Sequence, residues 1–241
     1  EPIPDVAREW EMGDEGRRLV SRLREGVAWS DGEPVTAHDF EYAWKRVLDP
    51  ARGSSAAPCL YDLCGARAYH EGRGPREGVG VRAHGDLTLA VELEEPAAYF
   101  PQLLARPPML PVPRHVVETE GDAWTQDATF VSNGPYRLEA WQRGEGVIFA
   151  RNPQYPGAFG GNVKRVELVP LTDWDERLRR YEADELDVLG ITFLPLAQRE
   201  EVRRRHHDDY VSATGLKTGF VAFDVTRPPF MDARVRRAFA L

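Results

Sequence analysis

Between Phe40 and Leu48 the apolar positions recur at helical spacing: Phe40, Ala43, Trp44, Val47 and Leu48 fall on one face. The approach to this helix is punctuated by Asp31-Gly32 and Pro34, which form turns, and by Thr36 with Asp39 three residues on, close to a capping box. Asp49-Pro50 stops it. Period-two alternation marks strands. In Arg18–Arg24, Leu19, Ser21 and Leu23 oppose Val20 and Arg22; in Leu87–Leu93, Leu87, Leu89, Val91 and Leu93 share a face. Glu95-Pro96 leads into a short helix over Tyr99–Leu104, weakened by Pro101. The proline-rich Arg106–Arg114 is stiff and extended and is the expected boundary between lobes.

Further on, Tyr136–Trp141 and Val147–Ala150 flank Arg143-Gly144-Glu145-Gly146, which predicts a hairpin. Val163–Leu171 is a predicted strand, and Asp173–Ala183 a helix with Trp174, Leu178 and Tyr181 on one side. Leu186–Ile191 is apolar enough for a buried strand. Pro195–Arg205 predicts a helix with a charged outer face, and Gly219–Val225 a short strand ended by Pro228-Pro229. Strands and helices alternate without a regular βαβ rhythm, so the fold class is α+β or mixed α/β.

Composition narrows the class. The chain of 241 residues suits one large domain or two small ones, and 42% apolar with 29% charged residues describes a globular protein. A net charge of −8 argues against a nucleic-acid partner, because phosphate binding needs a positive field. No apolar run approaches the roughly 18 residues that span a bilayer, so no membrane insertion by this segment is expected. The opening EPIPDVAREW has neither a basic n-region nor an apolar h-region, and the closing DARVRRAFAL ends mid-pattern. The expectation is a piece cut from a longer protein.

Candidate chemistry is sparse. Gly78-Val79-Gly80 lacks the third glycine of a phosphate cradle and is a turn or strand edge. His206-His207 adjoin Arg203–Arg205 and Asp208-Asp209; adjacent histidines diverge, so the pair is expected to be solvated charged surface and not a metal site. Ser132-Asn133-Gly134 is not a nucleophile elbow, and Asn133-Gly134 is expected to form a turn with φ > 0. Asp184, Glu185 and Asp187 cluster, but no pair is singled out for glycoside chemistry. Cys59 and Cys64, five apart, are expected to be ordinary thiols. Trp44 is expected in the core; Trp10, Trp29, Trp124, Trp141 and Trp174 lie at element ends, where any could line a cleft. No metal, cofactor or catalytic residue is predicted.

The literal strings add what periodicity does not. Trp29–Pro50, WSDGEPVTAHDFEYAWKRVLDP, closely resembles a signature segment of periplasmic oligopeptide-binding proteins, the family-5 solute receptors of peptide ABC importers. Leu87–Leu93 with Glu95-Pro96 and Tyr99-Phe100, Pro111-Val112-Pro113 with Gly121 and Trp124, and Ser132-Asn133-Gly134-Pro135-Tyr136 continue the resemblance. So do Arg151-Asn152-Pro153 with Tyr155, Tyr181–Val188 (with Asp184 for the family's glycine), and Pro229-Phe230, Asp232 and Val235-Arg236.

The resemblance implies a periplasmic-binding-protein-like fold (type II, peptide-receptor class) lacking part of the N-terminal segment and the C-terminal lobe. Residues 1–113 would be a small accessory lobe and 114–241 part of the first ligand-binding lobe. It implies binding without catalysis: a peptide or other small solute held in a cleft between lobes and passed to an ABC transporter permease. Receptors of this kind grip the ligand backbone through strand-like hydrogen bonds and close by a hinge. Gly190–Phe193 and Gly219–Asp224 map to the family's ligand-facing segments, which makes Ile191, Thr192, Phe193, Phe220, Ala222 and Asp224 the candidate ligand-binding residues. Ala222 stands where the oligopeptide receptor carries an acid, and Phe220 and Phe223 could equally be core residues of a buried strand. The location implied is extracytoplasmic, in the periplasm or lipid-anchored at the cell surface. A segment lacking the second lobe is expected to bind peptide weakly or not at all. Two other readings fit the residues: a ligand-sensing domain fused to a transcriptional regulator or signalling protein, then cytoplasmic, and, more remotely, a hydrolase.

Overall fold

The structure, a computed structural model, describes residues 2–157, 161–191, 194–213 and 220–239. The chain divides into two compact units, Glu1–Thr172 and Asp173–Leu241.

In the first unit, β1 (Ala7–Gly13), β2 (Arg18–Leu23), α1 (Ala37–Val47), α2 (Ala66–His70), β3 (Val81–Ala83), β4 (Thr88–Glu92), α3 (Phe100–Leu103) and α4 (Arg114–Glu120) come first. The strands form an antiparallel sheet of order β1-β2-β4-β3, with Leu19 opposite Val91 and Val81 opposite Val91 on the other side. Alternation in β2 places Leu19, Ser21 and Leu23 inward and leaves Arg18 and Arg22 exposed. Central β4 buries Leu89, Ala90 and Val91 in succession, as a strand covered on both faces must.

α1 lies against β3 and β4. Its start is fixed by Asp39, whose carboxylate accepts from the Thr36 amide and hydroxyl and, with its other oxygen, from the Arg114 amide. Trp44, Leu48 and Ala43 carry the predicted face into the main core with Leu60, Leu63, Val79, Val81, Phe100 and Met109; Phe40 and Val47 flank it, half-buried. Arg106–Arg114 is no exposed linker. Met109 and Pro113 are buried, and Trp44 Nε1 donates to the Met109 carbonyl at 2.8 Å, so the stiff segment seals the core.

Glu41 ties α1 to the sheet: one oxygen accepts from Lys45 and the other from the Ala83 amide at 2.8 Å. Burial alone would raise its pKa, but these bonds prevail and hold the carboxyl below the ordinary 4.5. A depressed folded-state pKa contributes stability that is present above the unfolded value and lost as pH falls through the folded one. Urea midpoints should therefore drop below pH 4.5, and Glu41→Gln should flatten part of that fall; an identical acid profile in the variant refutes the assignment.

The rest of the first unit is a second antiparallel sheet, β5 (Tyr136–Gln142), β6 (Gly146–Arg151) and β7 (Arg165–Leu168), in that order. The predicted hairpin is present, while the predicted strand Val163–Leu171 is shorter, at Arg165–Leu168. Family-resembling strings that are far apart in sequence meet here. Asn152, buried, donates from its side chain to the Gly134 carbonyl and from its amide to Pro135. Ser30 and Ser132 are joined by two bonds: the Ser30 amide donates to the Ser132 carbonyl at 2.7 Å, and the Ser132 amide donates to the Ser30 hydroxyl oxygen at 3.2 Å. Neither Asn133 nor Gly134 has positive φ, contrary to expectation; the chain bends at Gly134-Pro135, whose carbonyls are taken by Asn152.

The second unit contains α5 (Trp174–Glu182), α6 (Leu196–Arg205) and α7 (Ala233–Ala238). Asp173 and Asp232 cap α5 and α7 by accepting from the Glu176 and Arg234 amides. Two predicted strands are absent among the described residues. Leu186–Ile191 is irregular with Val188 84% exposed, and residues 220–225 of Gly219–Val225 are irregular with Phe220, Val221 and Val225 exposed. An apolar run becomes a strand only where a neighbour offers a ladder, and neither segment has one here. Leu194 is the only buried apolar residue described in this unit; the others fall between Leu19 and Val117.

Candidate ligand-binding site

The predicted ligand-facing residues lie on two segments of the second unit. Ile191 is half-buried in the connection between α5 and α6, and its carbonyl accepts from the Leu194 amide at 3.1 Å. Thr192 and Phe193 lie outside the described residues. Phe220 and Ala222 are exposed on an irregular segment. Phe223 turns instead into a trio with Phe230 and Phe239, with ring centroids 5.0, 5.1 and 6.0 Å apart. The two phenylalanines thus part ways: Phe223 packs, and Phe220 faces solvent.

Asp224 is committed locally. Its Oδ1 accepts from the Thr226 hydroxyl at 2.6 Å and the Thr226 amide at 3.0 Å, and Arg227 approaches Oδ2 at 3.3 Å. The hydroxyl bond first, then the amide, holds its carboxyl below the usual carboxylate range. It is an ionised turn-former with one flank open. No hydrogen bond, ion pair or ring contact among the described residues joins Ile191 to Phe220, Ala222 or Asp224.

A recess of about 660 Å³ opens beside the α5–α6 connection, lined by Tyr181, Glu182, Asp184, Leu186, Asp187, Arg205, His206 and Asp209. It is an open, polar depression, unlike the enclosed and mostly apolar pockets that bury small molecules. Sequence reasoning did not find it. His206-His207 was expected to be solvated surface, and the structure separates the two: His207 is exposed beside Asp208, whereas His206 points inward and meets Glu182. The available signal was the inner stripe of α6, where Arg199, Val202 and His206 are the half-buried positions. Asp184 has φ of 57° at the end of α5, the position where the family resemblance has glycine. Among the described residues no group of three or more His, Cys, Asp or Glu is arranged to hold a metal ion, and no helix is long and apolar enough to cross a membrane. Cys59 and Cys64 are free thiols; burial first, then Glu94 and Glu92, pushes the Cys64 thiol up, which makes it a poor nucleophile.

Residues 1–241 match, end to end, the family described as bacterial extracellular solute-binding proteins, family 5 Middle. The chain belongs to this family. It is 35% identical over 240 residues to the Escherichia coli protein named "probable deoxycholate-binding periplasmic protein YgiS" and 35% identical over 242 residues to the periplasmic oligopeptide-binding protein OppA of Salmonella typhimurium. These alignments cover 99% and 100% of this chain but 44% of each relative. Among solved structures, Burkholderia pseudomallei OppA superposes with a TM-score of 0.88 at 33% identity, covering 99% of this chain and 46% of that one. Haemophilus influenzae OppA, in complex with the peptide RPPGFSPFR, gives 0.82 at 29% identity over 98% of this chain and 46% of its own. The chain thus spans less than half the length of the relatives it matches, and its mixed α/β fold is that of family-5 peptide receptors.

Proposed function

We propose that the protein containing this chain binds oligopeptides outside the cytoplasm and delivers them to the permease of an ABC importer. The observation that carries this reading is the similarity of nearly the whole chain to a receptor solved with a nine-residue peptide in place. In this reading Ile191, Thr192, Phe193, Phe220, Ala222 and Asp224 face the ligand, with residues 1–113 in an accessory lobe and 114–241 in the first ligand-binding lobe. The sheet β1-β2-β4-β3 lies before residue 114 and the sheet β5-β6-β7 after it, which supports that division, although the compact units part after Thr172. The exposed Phe220 and the side-chain-poor Ala222 favour apolar ligand groups at this face, and Asp224 is already occupied in part by Thr226 and Arg227. A second reading, an amphipathic acid as ligand, is favoured by that apolar character together with the 35% identity to YgiS.

Calorimetry on the full-length protein separates the two. Di- to pentapeptides should give saturable binding at or below about 1 μM, near −8 kcal/mol, and Phe220→Ala should weaken it. Saturation by deoxycholate with no heat from any peptide would replace the first reading by the second.

A further inference from the structure

β5, β6 and β7 sort their side chains onto two unlike faces. Residues directly paired across an antiparallel ladder point the same way. The pairs Leu138–Phe149, Trp141–Val147, Phe149–Val166 and Val147–Leu168 therefore set six apolar side chains on one side. The other side carries Arg137, Arg165 and Glu167 among Ala140, Ile148 and Ala150. There Arg165 approaches Glu167 at 3.6 Å and Glu139 at 3.9 Å. This is the pattern of a sheet with one face on a core and the other in water.

Among the described residues no core lies against the apolar face. None of the six is buried, Leu168 is 53% exposed, and none belongs to or packs on either cluster of buried side chains. The Trp141 ring is covered by a cation, the Arg143 guanidinium at 3.6 Å from its centroid. The bonds that tie this region to its surroundings are polar: Asn152 to Gly134 and Pro135, and Ser132 to Ser30. A sheet of three strands gains its stability by packing its apolar face on another layer.

Size separates the possible occupants. Strands of six and seven residues, at about 3.3 Å per residue and about 4.8 Å apart, give a face of roughly 14 by 20 Å, or about 300 Å². A stable contact with a second molecule takes about 800 Å² per partner, so this face alone is too small for a lasting dimer or complex. A layer from the same polypeptide pays no cost of association and needs no such area. The relatives have the chain for it: more than half the length of YgiS and of Salmonella OppA lies outside the matched region.

We propose that the apolar face of β5-β6-β7 is one wall of a second hydrophobic core, and that the opposite wall comes from the part of the same polypeptide outside residues 1–241. The proposal does not depend on what the protein binds.

The test uses the full-length protein. p-Benzoylphenylalanine, which on irradiation bonds to C–H groups in contact with it, replaces Phe149, Leu168 or Glu167 in three separate variants, and the joined peptides are read by mass spectrometry. Phe149 and Leu168 should both join to peptides from outside residues 1–241, within a monomer. Glu167, next to Leu168 but on the polar face, should not. Leu168 lies at the sheet edge and is half-exposed, so its variant decides the matter if the Phe149 variant does not fold. A further readout is stability: Leu168→Asp should lower the urea midpoint of the full-length protein, and Glu167→Gln should leave it unchanged. Cross-links confined to residues 1–241, cross-links between two copies, no cross-links at all, or the same products from Glu167 as from Leu168 would each overturn the proposal. So would an unchanged midpoint in Leu168→Asp.

Discussion

Trp44→Ala is expected to lower the free energy of unfolding by about 3–5 kcal/mol, the usual cost of emptying a tryptophan site in a packed core. Trp44 is 1% exposed on the inner face of α1 and touches the core at the point where the proline-rich segment returns. Its loss removes the largest apolar surface of the helix and strands the Met109 carbonyl, which has been accepting from Nε1. The two contributions can be separated. Trp44→Phe keeps most of the volume and forfeits only the hydrogen bond, for a cost of about 1–3 kcal/mol. Urea titrations of both variants check the ranking; a phenylalanine variant as unstable as the alanine one would place the stabilisation in the hydrogen bond and not in the packing.

The second large effect is expected at Gly80. Three chain segments close a ring of backbone hydrogen bonds around it: Cys64 donates to Glu92, Gly80 to Cys64, and Glu92 to Gly80, at 2.9, 2.8 and 2.8 Å. A Cβ on residue 80 would sit 2.5 Å from the Glu92 carbonyl oxygen and 2.9 Å from Cys64 Cβ. The nearest obstacle is backbone and cannot rotate away. Gly80→Ala should therefore cost on the order of 3 kcal/mol, at the upper end for overpacking. Gly85, whose added Cβ would meet nothing within 4 Å, lies in an open turn; substitution there meets only the penalty of its φ of 68°, about 1 kcal/mol. Equal losses at the two sites would refute the steric argument.

Much of the first unit was legible because local signals agreed there. The apolar stripe, Thr36 with Asp39 and the Asp49-Pro50 stop all define α1, and the alternation through Ser21 correctly put even that hydroxyl on the inner face of β2. The prolines of Arg106–Arg114 signalled stiffness, but stiffness does not say whether a segment is covered. Only the partner, Trp44, decides that, and it lies 65 residues away. Leu186–Ile191 and Gly219–Val225 failed for a related reason: their composition allows a strand, but strand formation is a property of pairs. In the candidate site, the Asp224 turn was missed: Thr226 two residues on was the signal, but the apolar run around it reads as a strand. The inward turn of His206 was missed as well, since its partner Glu182 is separated by 24 positions and by a second helix.

The crowding of buried apolar residues between Leu19 and Val117 has a consequence for biosynthesis. Domains tend to fold as units from the end that leaves the ribosome first. Here the Leu19–Val117 stretch holds all but one of the buried apolar residues described, so it can collapse while the α5–α6 region is still being translated. A nascent chain stalled once this stretch is clear of the exit tunnel should already resist protease, and lengthening it through the α5–α6 region should add little further protection.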